Sequence, residues 1–138
     1  MDPILVATST SFMIPMTYAA YNQYWYIYST FLLQLIVSIT YHSSKDSTIL
    51  IMDQLSITHL ILVSIKTGYE LNLSHLSSIG LAWLIYIYLY GHYTKTLAFS
   101  PSYVVSSSSH GTIHLLVSGI WIYGIYVKQL QDAHKHVL

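Results

Sequence analysis

The feature that most constrains this chain is a succession of long apolar runs with almost no charge between them. Crossing the hydrocarbon core of a bilayer takes about 17 to 25 mostly apolar residues, and runs of that kind are read at 4–20, 24–42, 48–66, 71–91 and 107–128. Only 7% of the 138 residues are Asp, Glu, Lys or Arg, while 54% are hydrophobic. So little charge cannot solvate the outer faces of five helices in water, but it suits helices whose outer faces meet lipid. The sequence therefore predicts an all-α integral membrane helical bundle, multi-pass, with about five transmembrane helices in a single domain over 1–138. The first run is the weakest, being short, rich in Ser and Thr and interrupted by Pro15, although membrane helices tolerate such residues when neighbours satisfy the backbone. Tyr24, Trp25, Tyr26 and Tyr28 open the second run, and Tyr86, Tyr88, Tyr90 and Tyr93 close the fourth, as interfacial aromatic belts do.

The stretches between the runs carry less information. "KTLAFSPSYVVSSSS", residues 95–109, is too short and too broken by Pro101 to span, and reads as a loop or re-entrant segment. Alternation of the spans puts Lys45 and Lys95 on one side and Lys66, Lys128 and Lys135 on the other, a split that sets no orientation. "MDPILVATST" has no basic start, so the first run is expected to be a retained segment and not a cleaved leader. "KQLQDAHKH" near the C-terminal end reads as a solvated tail, where His134 and His136 would bind metal only incidentally.

Charge and cysteine content exclude whole classes of function. Five acidic residues balance five Lys, Arg is absent and no basic cluster exists, so no face is available to neutralise phosphates and nucleic acid is not a partner. With no Cys there are no disulfides and no thiolate sites, and any metal must be held by His or carboxylate.

Ionisable groups inside a membrane are costly and mark functional sites, and three places in the apolar runs carry them. Ser38 and His42 in "SITYH" are four apart, on one helical face at the end of the second run. Asp53 in "LIMDQL" lies one to two turns into the third. His110 and His114 in "HGTIH" are again four apart and open the fifth. The second run ends on the side where the third starts, and with one helix between them the fifth starts there too, so all three places share one depth. Three converging imidazoles with an open fourth position are the ligand set of a catalytic zinc, which brings its water to a pKa near 7. The competing reading has Ser38 bonding its own helix and the imidazoles bonding carbonyls across helices. His59, six residues after Asp53, falls off the Asp face of a helix and is assigned to packing.

These motifs resemble those of a known superfamily of membrane hydrolases, the CREST type, which joins alkaline ceramidases, progestin and adipoQ receptors, glycolipid-remodelling proteins and myomaker-like proteins. Its pattern is SxxxH at the end of one helix, Asp in the next and HxxxH in the last, and the eleven-residue step from His42 to Asp53 is nearest the ceramidase and glycolipid-remodelling branches. The resemblance covers residues 30–65 and 107–127. It implies that His42, His110 and His114 bind zinc, that Asp53 acts on the water, and that Ser38 orients water or the carbonyl oxygen. Members usually have seven helices where this chain shows five. Alkaline ceramidases carry an acidic calcium-binding segment early in the chain, whereas here only Asp2 precedes "PILVATSTSFMIPM", so no calcium site is expected.

Two functions follow as expectations. In one, the protein is a zinc-dependent hydrolase of a membrane lipid, ceramide-like amide or ester, with Asp53 as general base and acid. In the other it is a non-enzymatic, zinc-stabilised membrane protein for lipid sensing or membrane remodelling. Five helices around a site usually enclosed by seven leave a side to be covered, and Ser118, Gly119 and Gly124 on the last run offer a small-residue face for a second copy, a homodimer, or alternatively for close approach within one chain.

Overall fold

The computed structural model describes residues 1–44 and 46–135, with the side chains of Leu76 and Lys135 left aside. Lys45 and His136, and the side chain of Lys135, thus lie outside the described residues. The described chain is all-α, and its helices follow the five apolar runs in order.

The first run is not one helix. It is divided into α1 (Pro3–Ser9), a tight 3₁₀ turn at Thr10–Phe12, and α2 (Met13–Tyr21). Asp2 caps α1, its carboxylate accepting from the Leu5 amide at 3.2 Å, and Pro3 takes the first helical position, where a missing N–H costs nothing. Pro15 supplies the reason for the break. It has no N–H for the Ser11 carbonyl and its ring crowds that carbonyl, so the path tightens just before it.

The second and third runs form an antiparallel hairpin of α3 (Trp25–Ser44) and α4 (Ser47–Glu70). Asp46 caps α4 by accepting from the Thr48 and Ile49 amides. The turn after α4 returns the chain as α5 (Ser74–Thr94), which ends where Lys95 takes a left-handed conformation, φ 55°. A Cβ on Gly68 would run into Ser77, so this glycine sets how closely α4 and α5 meet. Elsewhere α5 is peripheral: it packs on α4 and on a 3₁₀ turn at Leu97–Phe99, and Gly91 alone is buried among its described side chains.

The last helix, α6, spans Tyr103–Lys135, and here the sequence reading needs correction at both ends. The serine run expected in a loop is helical. Helix α6 starts four residues before 107 because the Asp2 carboxylate receives the Tyr103 and Ser107 hydroxyls while Ser106 donates to the Ala98 carbonyl. The expected solvated tail is also helical, held by side chains of the other helices. Tyr18 donates to Gln129, Gln131 donates to the Leu71 carbonyl, and Tyr24 donates to Asp132, which also pairs with Lys128.

Many large apolar side chains lie on the outside of the bundle, and polar side chains share its buried faces with apolar ones. Its buried stripe on α6 reads Ser107, Gly111, His114, Ser118, Trp121 and Ile125, in steps of three and four as one helical face requires. On α3 the buried face carries Thr30, Gln34, Ser38 and His42 among its apolar members, and on α4 Asp53, Ser56 and Thr67. Ile36, Leu55, Leu62, Trp83 and Ile120 are each more than half exposed. Two helices, α4 and α6, are long and apolar enough to cross a membrane by length and composition.

One apolar core sits at the end of the bundle away from His42, formed by Phe12, Ala19, Ile27, Phe31, Leu60, Trp121 and Ile125. Phe31 meets Trp121 edge-on at 5.4 Å and Phe12 at 6.0 Å. This core fixes α1–α2, α3, α4 and α6 relative to one another and so sets the positions of the polar groups at the other end.

Candidate metal centre

His42 occupies the last turns of α3, and His110 and His114 face it from the first half of α6. Their rings lie 5.2 Å (42 to 110), 5.6 Å (42 to 114) and 4.9 Å (110 to 114) apart by centroid. One nitrogen from each imidazole falls within 4.8 Å of the others. His42 and His114 are buried and His110 is half-buried. The three could therefore hold a metal ion. Nitrogens sharing one zinc at about 2.1 Å stand roughly 3.4 Å apart in a tetrahedral set, inside the 4.8 Å within which these donors lie. The donors are imidazole nitrogens, a set that suits zinc and other borderline ions and is poor for calcium.

Helix α1, the segment that looked weakest in the sequence, builds the wall behind His114. Its close approach depends on Gly111, where an added Cβ would lie 2.9 Å from both the methyl and hydroxyl of Thr8. Thr8 Oγ1 is 3.2 Å and Ser9 Oγ 3.4 Å from His114 Nδ1. Each hydroxyl already commits its hydrogen to its own helix, Thr8 to the Ile4 carbonyl at 3.0 Å and Ser9 to the Leu5 carbonyl at 2.7 Å. Toward His114 both must accept, so Nδ1 carries the proton and Nε2 keeps its lone pair for a metal. The same reasoning orients Ser38, whose hydroxyl is 3.0 Å from Ser9 Oγ. With the Ser9 hydrogen used, Ser38 donates to Ser9 and can accept a hydrogen bond from a water. Phe12 closes the far side of the His114 ring at 5.1 Å.

Asp53 is buried on α4, and its Oδ1 has no hydrogen-bond partner among the described residues. It stands outside the close group of imidazole donors. One turn further along α4, Ser56 donates to Gln34 at 3.0 Å and to the Asp53 carbonyl at 2.8 Å. A buried carboxylate oxygen without a donor is expensive and calls for a cation, a water or a substrate group beside it.

Asp2 was missed as part of this region. It is 3% exposed, its amide donates to the His42 carbonyl at 2.8 Å, and its carboxylate accepts from Ser107 at 2.7 Å and Tyr103 at 3.1 Å. The signal available in the sequence was an Asp-Pro pair, a helix start, which carries no information about α6. Thr8 and Ser9 gave no signal beyond composition.

Among the described residues, His59, His75, His92 and His134 stand outside the group of three. His59 Nε2 lies 3.2 Å from Thr30 Oγ1 across α3 and α4, a packing contact. His92 lies against Phe99 at 5.2 Å, and His75 and His134 are exposed. Compared with family models, curated proteins and solved structures, the chain matches none of them.

Proposed function

We propose that the protein is a zinc-dependent integral membrane hydrolase that cleaves an amide, as in ceramide, or an ester bond of a membrane lipid. The observation that carries the proposal is the grouping of His42, His110 and His114 within 4.8 Å at the polar end of a bundle whose outer surface is apolar. Supporting it are a buried Asp53 oxygen lacking a donor and a Ser38 hydroxyl disposed to accept. Zinc, when bound, would supply a Lewis acid that polarises the scissile carbonyl and makes water a stronger acid.

The chain's own residues then divide the remaining work. His114 is held with Nε2 toward the centre by Thr8 and Ser9, and Gly111 permits that hold. Ser38 accepts a hydrogen from the attacking water and so aims its oxygen. Asp53 takes the water's proton and returns it to the leaving amine or alkoxide, as a positioned general base and acid does. The apolar grooves between α3 and α4, lined by Leu33, Ile36, Val37, Met52 and Leu55, run beside Ser38 and Asp53 in sequence and give an acyl chain an apolar wall.

The test is incubation of purified protein with a mixed lipid extract, followed by mass spectrometry of released fatty acids. The expected result is release by the natural protein and none by His110→Ala. Equal release by the two, or no release from any lipid class by zinc-loaded protein, overturns the hydrolase.

A further inference from the structure

His59 stands at the middle of α4 (Ser47–Glu70), a helix whose length and composition suit it to cross a membrane, and its side chain is exposed there. A polar group at that depth is costly unless it is paired, and one of its two ring nitrogens is. Nε2 lies 3.2 Å from Thr30 Oγ1. The Thr30 hydroxyl directs its hydrogen to the Tyr26 carbonyl at 2.8 Å, so toward His59 it accepts and Nε2 is the donor. In an uncharged imidazole the other nitrogen, Nδ1, is then an acceptor, and no described side chain donates to it.

The groove between α3 and α4 sets where this acceptor points to a ligand. Its two halves share Val37 and Met52, the sequence neighbours of Ser38 and Asp53, so the groove is continuous and starts beside the reacting groups. Helical periodicity carries it on to His59. Met52, Leu55 and His59 follow in steps of three and four on α4, as Val37, Leu33 and Thr30 do on α3. The step from Asp53 to His59 is about 9 Å along the helix, and that from Ser38 to Thr30 about 12 Å. The hydrocarbon core holds no water to pair with Nδ1, and lipid headgroups stay at the surfaces. A donor at this depth has to be carried on the chain of a lipid lying in the groove.

We infer that the α3–α4 groove binds an acyl chain hydroxylated near its middle, the chain hydroxyl donating to His59 Nδ1. The inference rests on the lipid-hydrolase reading and narrows it: a chain with its carbonyl beside Ser38 and Asp53 brings such a hydroxyl to His59, and an unsubstituted chain leaves Nδ1 bare. His59 is thus a specificity-determining residue, apart from the metal ligands.

The experiment is displacement of a fluorescent polyene fatty acid, cis-parinarate, from the full chain in detergent micelles, an assay that needs no turnover. 10-Hydroxystearate is expected to displace it at roughly 5- to 30-fold lower concentration than stearate, the effect of one hydrogen bond between groups in hydrocarbon. 2-Hydroxystearate, whose hydroxyl lies beside the carboxyl, should gain nothing over stearate. His59→Leu should bring 10-hydroxystearate and stearate level, and His59→Gln, which keeps a donor for Thr30 and an acceptor for the chain, should restore part of the preference. If His59→Leu does not fold, His59→Phe, which keeps the ring volume, carries the same expectation. No preference in the natural protein, an equal preference for 2-hydroxystearate, or a preference that survives loss of the imidazole overturns the inference, as does a protein that binds no fatty acid. Release of acyl chains from the lipid extract without this preference leaves the hydrolase standing and removes the inference. A His59-dependent preference in a protein that releases nothing upholds the groove and removes the hydrolase.

Discussion

Gly111→Ala puts the arrangement of α1 against α6 to a quantitative test. The added Cβ would sit 2.9 Å from the Thr8 methyl and hydroxyl and 3.3 Å from its Cβ, where carbon atoms prefer about 3.5 to 4.0 Å. Either α1 backs away or Thr8 rotates, and rotation gives up its contact with His114 and its bond to the Ile4 carbonyl. Overpacking of this kind costs about 1 to 3 kcal/mol, while replacing Gly by Ala within a helix returns about 1 kcal/mol. Gly119 on the same helix is the control, since nothing lies within 4 Å of its added Cβ and only the helical gain remains. Gly119→Ala should therefore be stabilised by up to about 1 kcal/mol, and Gly111→Ala should fall below it by about 1 to 3 kcal/mol. Reversible unfolding in mixed detergent micelles, followed by circular dichroism, measures both. The Gly111 variant should also bind Co²⁺ more weakly, because the His114 tautomer is no longer fixed. Equal stability of the two variants, with equal metal affinity, would refute the close approach of Thr8 and the role given to α1.

The other predictions concern ligands, proton transfer, core and assembly. His114→Ala should lose stoichiometric zinc in metal analysis while His59→Ala keeps it, since His59 contacts Thr30; the reverse pattern would sink the ligand assignment. Asp53→Asn should still bind zinc at 1:1 yet lose roughly 10²- to 10⁴-fold of any hydrolytic rate, and an unchanged rate removes Asp53 from the chemistry. Phe31→Ala empties the centre of the core, where Phe12 and Trp121 meet, and should cost roughly 3 to 5 kcal/mol in the same unfolding assay. Because a Cβ added at Gly119 or Gly124 would meet nothing within 4 Å beyond its own helix, close packing inside one copy does not require either glycine; size analysis in nanodiscs should show a dimer that Gly119→Leu disrupts, and a particle that is monomeric with and without the substitution would leave that face to lipid.

Much of this protein is determined by its sequence alone, for reasons that are local. The apolar runs lead to helices in the order the sequence places them, the first divided ahead of Pro15, because a backbone whose polar groups bond within their own helix leaves none to be satisfied elsewhere. The four-residue spacings of Ser38 with His42 and of His110 with His114 place each pair on one face through helical periodicity, and the connections bring the two faces to one end of the bundle. What periodicity and alternation do not contain is which side chains from distant segments meet. Asp2 and Ser107, Thr8 and Gly111, and Ser9 and Ser38 each join parts of the chain at least 29 residues apart, and nothing local in an Asp-Pro pair or a Thr-Ser pair points to a partner on α6. The two ends of α6 show the same limit. Its serines and its polar last turns read as loop and tail by composition, but Asp2, Ala98, Tyr18, Tyr24 and Leu71 supply hydrogen-bond partners there, and only packing brings those partners into reach.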